Sequence, residues 1–246
     1  MRFGAFSGCL NGTQMNHVRN ILVMGASLVL LSCLIARAQT STTEFFPEVD
    51  TYFKLYSLVR FVFQAKETRE GGDPTQAEIG PSIDIYMKPL IKLKDLTVFD
   101  LDDSKSRPLV SSVGYRYVPS PNKATTNRLE PVITSHLPLP GRMLLSDRNR
   151  GDLDWSNGNF TWRYRNRLTL ERRVSIHSYH PAPYASAEGF YESQYGKWSS
   201  TDLYAGCLFP ADKHFEFDAY YEHENNTGKS PNQQVNAAGL ILNLHF

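Results

Sequence analysis

Phe160–Arg173 reads FTWRYRNRLTLERR, and this stretch decides the fold class. Its residues separate into two chemically distinct sets when every second position is taken together, as in a β-strand, where successive side chains point to opposite faces. The apolar set is Phe160, Trp162, Tyr164, Leu168 and Leu170, and the polar set is Thr161, Arg163, Arg165, Arg167, Thr169, Glu171 and Arg173. A helix would scatter the same arginines around its circumference. The pattern therefore predicts a strand with one aromatic, apolar face and one strongly cationic face.

The same alternation recurs in most segments between Pro47 and Phe246. The pair Asn157-Gly158, which favours tight hairpin turns, leads into the central strand. Leu93–Leu101 is the least clear of the predicted strands. Strands of about ten residues with apolar-out, polar-in alternation are typical of membrane barrels, which in bacteria have an even strand number. We therefore expect an all-β chain that forms a single antiparallel up-and-down transmembrane β-barrel of about 10–12 strands.

Residues 1–38 match a secretory signal peptide. Basic residues precede the apolar run Ile21–Ile35, and Ala36-Arg37-Ala38 fits a cleavage site. The run has 15 residues, fewer than the ~20 that a membrane-spanning helix needs. Cleavage after Ala38 would leave residues 39–246 as the barrel domain. Leu30–Cys33 faintly matches a lipoprotein signal, so lipidation of Cys33 is the alternative.

The composition excludes some classes of function. The chain has 26 Lys and Arg against 25 Asp and Glu, which argues against binding to nucleic acid. Cys207 is the one cysteine after residue 38, so no intramolecular disulfide is expected in the mature chain. No motif predicts a cofactor.

The direction in which the two faces of the sheet point separates a membrane barrel from a soluble one. A soluble barrel of lipocalin type turns its apolar face inward, whereas here the apolar face is rich in aromatic residues near strand ends, as in an interfacial girdle. The last strand has the pattern that the outer-membrane barrel assembly machinery recognises, and its residues are Gly239, Leu240, Leu242, Leu244 and Phe246. We expect a bacterial outer-membrane location, with lipid and that machinery as partners. A secreted soluble barrel is the alternative.

The polar faces predict a lumen that carries charges of both signs. The residues expected there are Arg116, Arg128, Glu130, Arg148, Arg150, Arg163, Arg165, Arg167, Glu171, Glu188, Glu216, Asp218 and Glu222. Because desolvating an isolated ion costs several kcal/mol, we expect arginine–carboxylate pairs. Such a lumen is either filled by salt bridges or a narrow pore, in which the arginines attract small polar or anionic solutes.

An outer-membrane hydrolase with a histidine site at the rim is the rival interpretation. Ser135-His136 and His177-Ser178 are adjacent pairs, but neighbouring residues of a strand point to opposite faces, so neither pair can join a nucleophile to its base directly. The nucleophile-elbow motif Gly-x-Ser-x-Gly is absent from the sequence. Charges around Asp102 are expected to be solvated loop residues. We therefore predict no catalytic residue and no metal site.

Several short motifs resemble domain-of-unknown-function family 2490, whose members are regarded as bacterial outer-membrane barrels. The motifs are Glu44–Glu48, Gly114–Tyr117, Asp147–Arg150, Arg163–Arg167, Pro183–Ala185, Glu188–Tyr191 and the closing Gly239–Phe246. They occur in the expected order and span Thr43–Phe246. The resemblance implies a fold and a location. It implies no activity, so it carries over no catalytic residue.

Overall fold

The computed structural model describes residues 40–87, 101–121, 123–228 and 230–246. The predicted signal peptide and all of the doubtful strand except Leu101 lie outside these residues. The described strands form one closed barrel, so the predicted all-β barrel is confirmed. The strands are β1 (Thr40–Tyr56), β2 (Val59–Glu70), β3 (Asp73–Met87), β4 (Leu109–Ser120), β5 (Lys123–Leu139), β6 (Met143–Ser156), β7 (Asn159–Arg172), β8 (Ala182–Glu192), β9 (Lys197–Pro210), β10 (Phe215–Asn226) and β11 (Gln233–His245). No helix among the described residues is long and apolar enough to cross a membrane.

The barrel closes through a parallel pair. Each strand is antiparallel to the next, but β1 runs parallel to β11, from Thr40 opposite Gln233 to Tyr52 opposite His245. The prediction of a wholly antiparallel barrel with an even strand number is therefore wrong. The described residues contribute eleven strands, and in an up-and-down sheet the first and last of an odd number point the same way. Since β3 pairs directly with β4, the described sheet closes with no strand between them.

The two rims of the barrel have different connections. The hairpin end holds the turns after β2, β4, β6, β8 and β10, and the loop end holds those after β1, β3, β5, β7 and β9. At the hairpin end, Asn157 and Gly158 have φ values of 49° and 79°. Positive φ at both central residues is what a two-residue hairpin of this type requires. Residues 101–108, the described part of the segment between β3 and β4, belong to the loop end.

The apolar side chains point away from the lumen. Phe215 and Phe217 of β10 are 43% and 42% exposed, whereas the intervening Glu216 is 2% exposed. Every strand except β8 exposes a large apolar side chain in this way, and β8 exposes Pro183, Ala185 and Ala187 instead. This arrangement reverses that of a water-soluble protein, in which large apolar groups collect inside.

One part of the outer face is polar. Asp147 and Asn149 of β6 and Asn166 of β7 lie there, at positions between the lumen-facing arginines. Their side chains bond to one another, since the Asn166 amide donates to Asp147 at 2.6 Å and to Asn149 at 3.1 Å. The Tyr164 hydroxyl also donates to Asn149, at 2.5 Å. The polar groups of this outer cluster therefore satisfy much of each other's hydrogen-bonding capacity.

On the inner face, tyrosine rings occupy the space above two glycines. A Cβ placed on Gly239 would lie 2.0 Å from Cζ of Tyr220, and one placed on Gly206 would lie 2.6 Å from Cζ of Tyr184. Real Cβ atoms do not approach other atoms so closely, so no larger residue fits without moving the ring. Gly239, which the sequence analysis assigned to the assembly signal, thus has a packing role inside the barrel. Leu240 beside it is exposed on the outside.

We expect Gly239→Val to lower the free energy of unfolding by about 1–3 kcal/mol, because the new side chain would overlap the Tyr220 ring. The measurement is the urea midpoint of the protein folded in detergent. Ala238→Val is the matched control, since Ala238 is the neighbouring exposed residue of the same strand. Adding Tyr220→Ala to Gly239→Val should restore part of the loss. Equal losses in Gly239→Val and Ala238→Val would show that the ring does not limit this position.

Candidate functional site

The inner face of the barrel encloses a cavity of about 760 Å³. Its lining is mostly charged and polar and comes from alternate positions of the strands. A water molecule occupies about 30 Å³ in the liquid. The cavity is therefore large enough for a small solute together with water.

A belt of ion pairs runs along one side of this lumen. Arg128 of β5 holds Asp154 of β6 with two bonds, of 2.7 and 3.1 Å, and its Nη1 lies 3.3 Å from Glu78 of β3. Two parallel bonds from one guanidinium to one carboxylate are the strongest form of this contact. Arg116 of β4 joins the belt through Glu130, at 3.5 Å.

The belt continues through β6 into β7. Arg150 contacts both Glu130 and Asp152. Asp152, which is fully buried, also lies 2.8 Å from Arg163 Nη2 and 3.8 Å from Arg165 Nη1. A carboxylate with no access to water is stable here because three guanidinium groups surround it.

The belt ends at Glu188 of β8, which pairs with two arginines of β7. Its carboxylate accepts two bonds of 2.9 Å from Arg165, and bonds of 2.6 and 3.0 Å from Arg167. Arg167 also donates to the Tyr204 hydroxyl of β9, at 2.9 Å. Arg167 stands directly opposite Arg148 across the β6–β7 ladder, an arrangement of like charges that is destabilising without intervening carboxylates.

Residues 101–107 cross the lumen near the loop end. Asp102 accepts from Arg60 of β2, and Lys105 Nζ lies 2.7 Å from Glu171 Oε1 of β7. β2 and β7 are five strands apart in a ring of eleven, so they face each other across the barrel. Burial alone would raise the pKa of Asp102, but the Arg60 guanidinium and the Lys105 ammonium outweigh it and hold that pKa below its usual range. The segment is therefore anchored on both sides of the lumen.

The charges that line the cavity separate into two arcs. On β4–β7, the basic arc consists of Arg116, Lys123, Arg128, Arg148, Arg150, Arg163, Arg165 and Arg167, with Glu130 as the one carboxylate among the described lining residues. On β8–β11 and β1, the acidic arc consists of Glu192, Asp202, Asp218, Glu222, Glu224, Glu44, Glu48 and Asp50, with no Lys or Arg among the described lining residues. Among the described lining residues, β2 carries both signs, whereas β3 carries only the carboxylates Glu78 and Asp84. The lumen thus has a basic wall and a carboxyl-rich wall.

Tyrosine hydroxyls donate hydrogen bonds to carboxylates of the acidic arc. Hydroxyl groups lie 3.0 to 3.2 Å from three of its carboxylates: Tyr52 from Asp50, Tyr184 from Asp218, and Tyr204 from Asp202. In the described part of the chain, none of the eight carboxylates lies within 4.0 Å of a Lys or Arg nitrogen. Lys66 of β2 is the nearby cation, and its Nζ lies 4.5 Å above the Phe46 ring. This wall is therefore rich in carboxyl groups that have no Lys or Arg nitrogen in contact among the described residues.

The structure places the thirteen residues predicted for the lumen on the inner face, but in different roles. Ion pairs join Arg116, Arg128, Glu130, Arg150, Arg163, Arg165, Arg167, Glu171 and Glu188 to other side chains. Arg148, Asp218 and Glu222 line the cavity without such a pair among the described residues, and Glu216 is buried beside the Asn243 amide, at 3.4 Å. Of the residues predicted for assembly, Leu242 and Leu244 are partly exposed and Phe246 is exposed.

Sequence reasoning missed three contributors to the site. Asp102 and Lys105 were expected in a solvated loop, and the run of charges around them carries no signal that it turns into the lumen. That expectation is wrong because Arg60 and Glu171 supply partners that are distant in sequence. Tyr204 could have been found, since it lies between Asp202 and Gly206 on the polar face of its strand.

His136 has a serine partner that the sequence did not reveal. Its Nδ1 lies 2.8 Å from Ser146 Oγ on β6, and both residues are buried. A hydroxyl beside an imidazole is one part of a nucleophilic site, but such a site also needs a group that orients the ring. No carboxylate among the described residues bonds to this ring. The described residues also contain no group of three or more side chains placed to hold a metal ion.

No protein-family model matches the sequence, and no curated protein is significantly similar to it. The resemblance to domain-of-unknown-function family 2490 therefore stays a prediction.

We expect Glu188→Gln to lower the free energy of unfolding by about 3–5 kcal/mol, because it leaves the half-buried Arg165 and Arg167 without their shared anion. Urea midpoints in detergent would measure the loss. Glu67→Gln is the control. Its ion pair with Arg69 is more than a third exposed on both sides, so its loss should cost at most about 1 kcal/mol. Similar midpoints for the two variants would contradict the stabilising role of the belt.

Proposed function

We propose that the chain is an integral outer-membrane β-barrel whose lumen is a narrow, charged passage for small polar or anionic solutes. The observation that carries the proposal is the direction of the two faces, with apolar rings outside and ion pairs inside. In water, the apolar exterior would be a continuous hydrophobic patch far beyond what soluble proteins tolerate. A lipid environment removes that cost. The same apolar exterior argues against the soluble lipocalin-like alternative.

The dimensions of the strands suit a bilayer. Each described strand has at least 11 residues, and a tilted strand needs ~9–11 to cross the hydrocarbon core. Trp155, Phe160, Trp162, Tyr191 and Trp198 form a cluster of aromatic rings towards the hairpin end, with centroids 5.2 to 5.9 Å apart within its contacting pairs. Aromatic girdles of this kind anchor barrels at the lipid–water boundary.

The proposal includes an exported precursor and a gated lumen. Residues 1–38 would direct export, and lipid and the barrel assembly machinery would be the partners. Within the lumen, the arginines of the basic arc would attract solutes, while residues 101–107 narrow the passage at the loop end. In a purely structural barrel the lumen would stay filled. In the proposed passage, solutes would cross once residues 101–107 move.

Insertion into lipid can be tested through the three tryptophans, since all of them are exposed on the outside. We expect brominated phospholipids to quench the fluorescence of Trp155, Trp162 and Trp198 after the protein is folded into vesicles. Single-tryptophan variants, with the other two changed to Phe, would give the depth of each. Unquenched fluorescence together with a protein that stays dissolved without detergent would exclude the membrane location.

Closure of the passage can be tested at Lys105. We expect Lys105→Ala to raise the conductance of planar bilayers several-fold over the wild type, because it removes the ion pair that ties residues 101–107 to β7. Lys213→Ala is the control, since Lys213 is an exposed residue at the same end of the barrel. Equal, low conductance in the wild type and both variants would favour a filled barrel over a passage.

A further inference from the structure

Arg148 is the arginine of the basic arc that has no ion pair or hydrogen bond among the described residues, although it lines the cavity. Its neighbours cannot supply an anion, because the carboxylates nearest to it are engaged elsewhere. Glu188 binds Arg165 and Arg167, and Glu130 binds Arg150. A guanidinium that has no anion and faces a cavity is a position for an anionic group of a solute.

The surroundings of Arg148 suit an oxyanion. Thr134 stands opposite it on β5, lines the same cavity, and makes no side-chain hydrogen bond to another described residue. Its hydroxyl is thus available on the same wall of the cavity as a second donor. Including Arg148, the belt and its immediate neighbours hold seven arginines against the carboxylates of Glu78, Glu130, Asp152, Asp154 and Glu188. An excess of positive charge therefore surrounds this position.

The acidic arc lies on the other side of the cavity. β6, which carries Arg148, is five strands from both β1 and β11, so the seam between those two strands is directly opposite. Glu48 and Asp50 on β1 and Glu222 on β10 flank that seam and line the cavity. None of these three has a Lys or Arg nitrogen within 4.0 Å in the described part of the chain. They present acceptors to any cation that enters.

We propose that the lumen binds a small zwitterionic solute, with its carboxylate on Arg148 and its ammonium group on the acidic arc. The inference rests on the proposed function, since it names the class of solute for the same passage. A simple anion would gain the contact with Arg148 but face eight carboxylates, and a simple cation would meet the arginines. A molecule that carries both charges gains at each wall. The volume of about 760 Å³ admits a molecule of the size of an amino acid together with water.

Calorimetric titration of the folded protein in detergent would test this inference. The probes are glycine, 4-aminobutyrate and 6-aminohexanoate, which separate the two charges by increasing distances, with acetate and butylammonium as singly charged references. We expect at least one zwitterion to bind about tenfold or more tightly than either reference, and Arg148→Gln to lose at least about tenfold of that affinity. Arg172→Gln, an exposed arginine of β7, should bind like the wild type.

Folding of the variant can be checked separately. Because Arg148 has no ion pair within the described part of the chain, Arg148→Gln should keep the urea midpoint of the wild type, unlike changes within the belt. Acetate binding as tightly as every zwitterion would replace the inference with a plain anion site, and tight butylammonium binding would replace it with a cation site. Absence of binding, or unchanged affinity in Arg148→Gln, would overturn it. None of these results depends on insertion into lipid or on conductance, so the proposed function stands or fails separately.

Discussion

An ionised side chain enclosed by a narrow barrel is stable only beside an opposite charge or a set of strong donors, and this constraint governs the interior. On β5–β8, it is met by alternating guanidinium and carboxylate groups, so that Glu188 alone serves two arginines. On the seam side, it is met by tyrosine hydroxyls such as that of Tyr52, which donates to Asp50. The two walls therefore differ in rigidity as well as in sign, because bidentate pairs fix geometry more strongly than single hydroxyl bonds do.

Packed side chains fill part of the lumen, and charged side chains line the part that stays open. Tyrosine rings fill the space over Gly206 and Gly239, and residues 101–107 occupy the loop end. What remains open is the part bounded by the two charged arcs. A cavity of this kind is a polar chamber, whose contents are selected by charge and size rather than by apolar contact. Its position inside an apolar exterior is what connects the chemistry of the lumen with the proposed membrane location.

The repeat of two residues along Phe160–Arg173 was enough to predict strands, the barrel and the identity of most inward residues, because the pleat of a strand is a local property. The parallel contact of β1 with β11 could not be predicted, since it depends on the number of strands and on the closure of the whole sheet. The sequence also could not predict that Arg150 is ion-paired while Arg148 is not among the described residues, since both are arginines on the same face of β6. The difference arises from the cross-strand positions: Arg148 lies opposite Thr134, whereas Arg150 lies opposite Val132, two residues from Glu130 on the same face.

The parallel seam also bears on how the molecule reaches this state. The basic arc is built by strands that are consecutive along the chain, so its hairpins can meet early, whereas the acidic arc straddles the junction of Thr40–Tyr56 with Gln233–His245. Contacts between such distant parts of a chain carry the largest loop-closure cost and form last. The carboxyl groups on the two sides of this junction are thus brought together in the final step of assembly, when the two edges of the curling sheet meet.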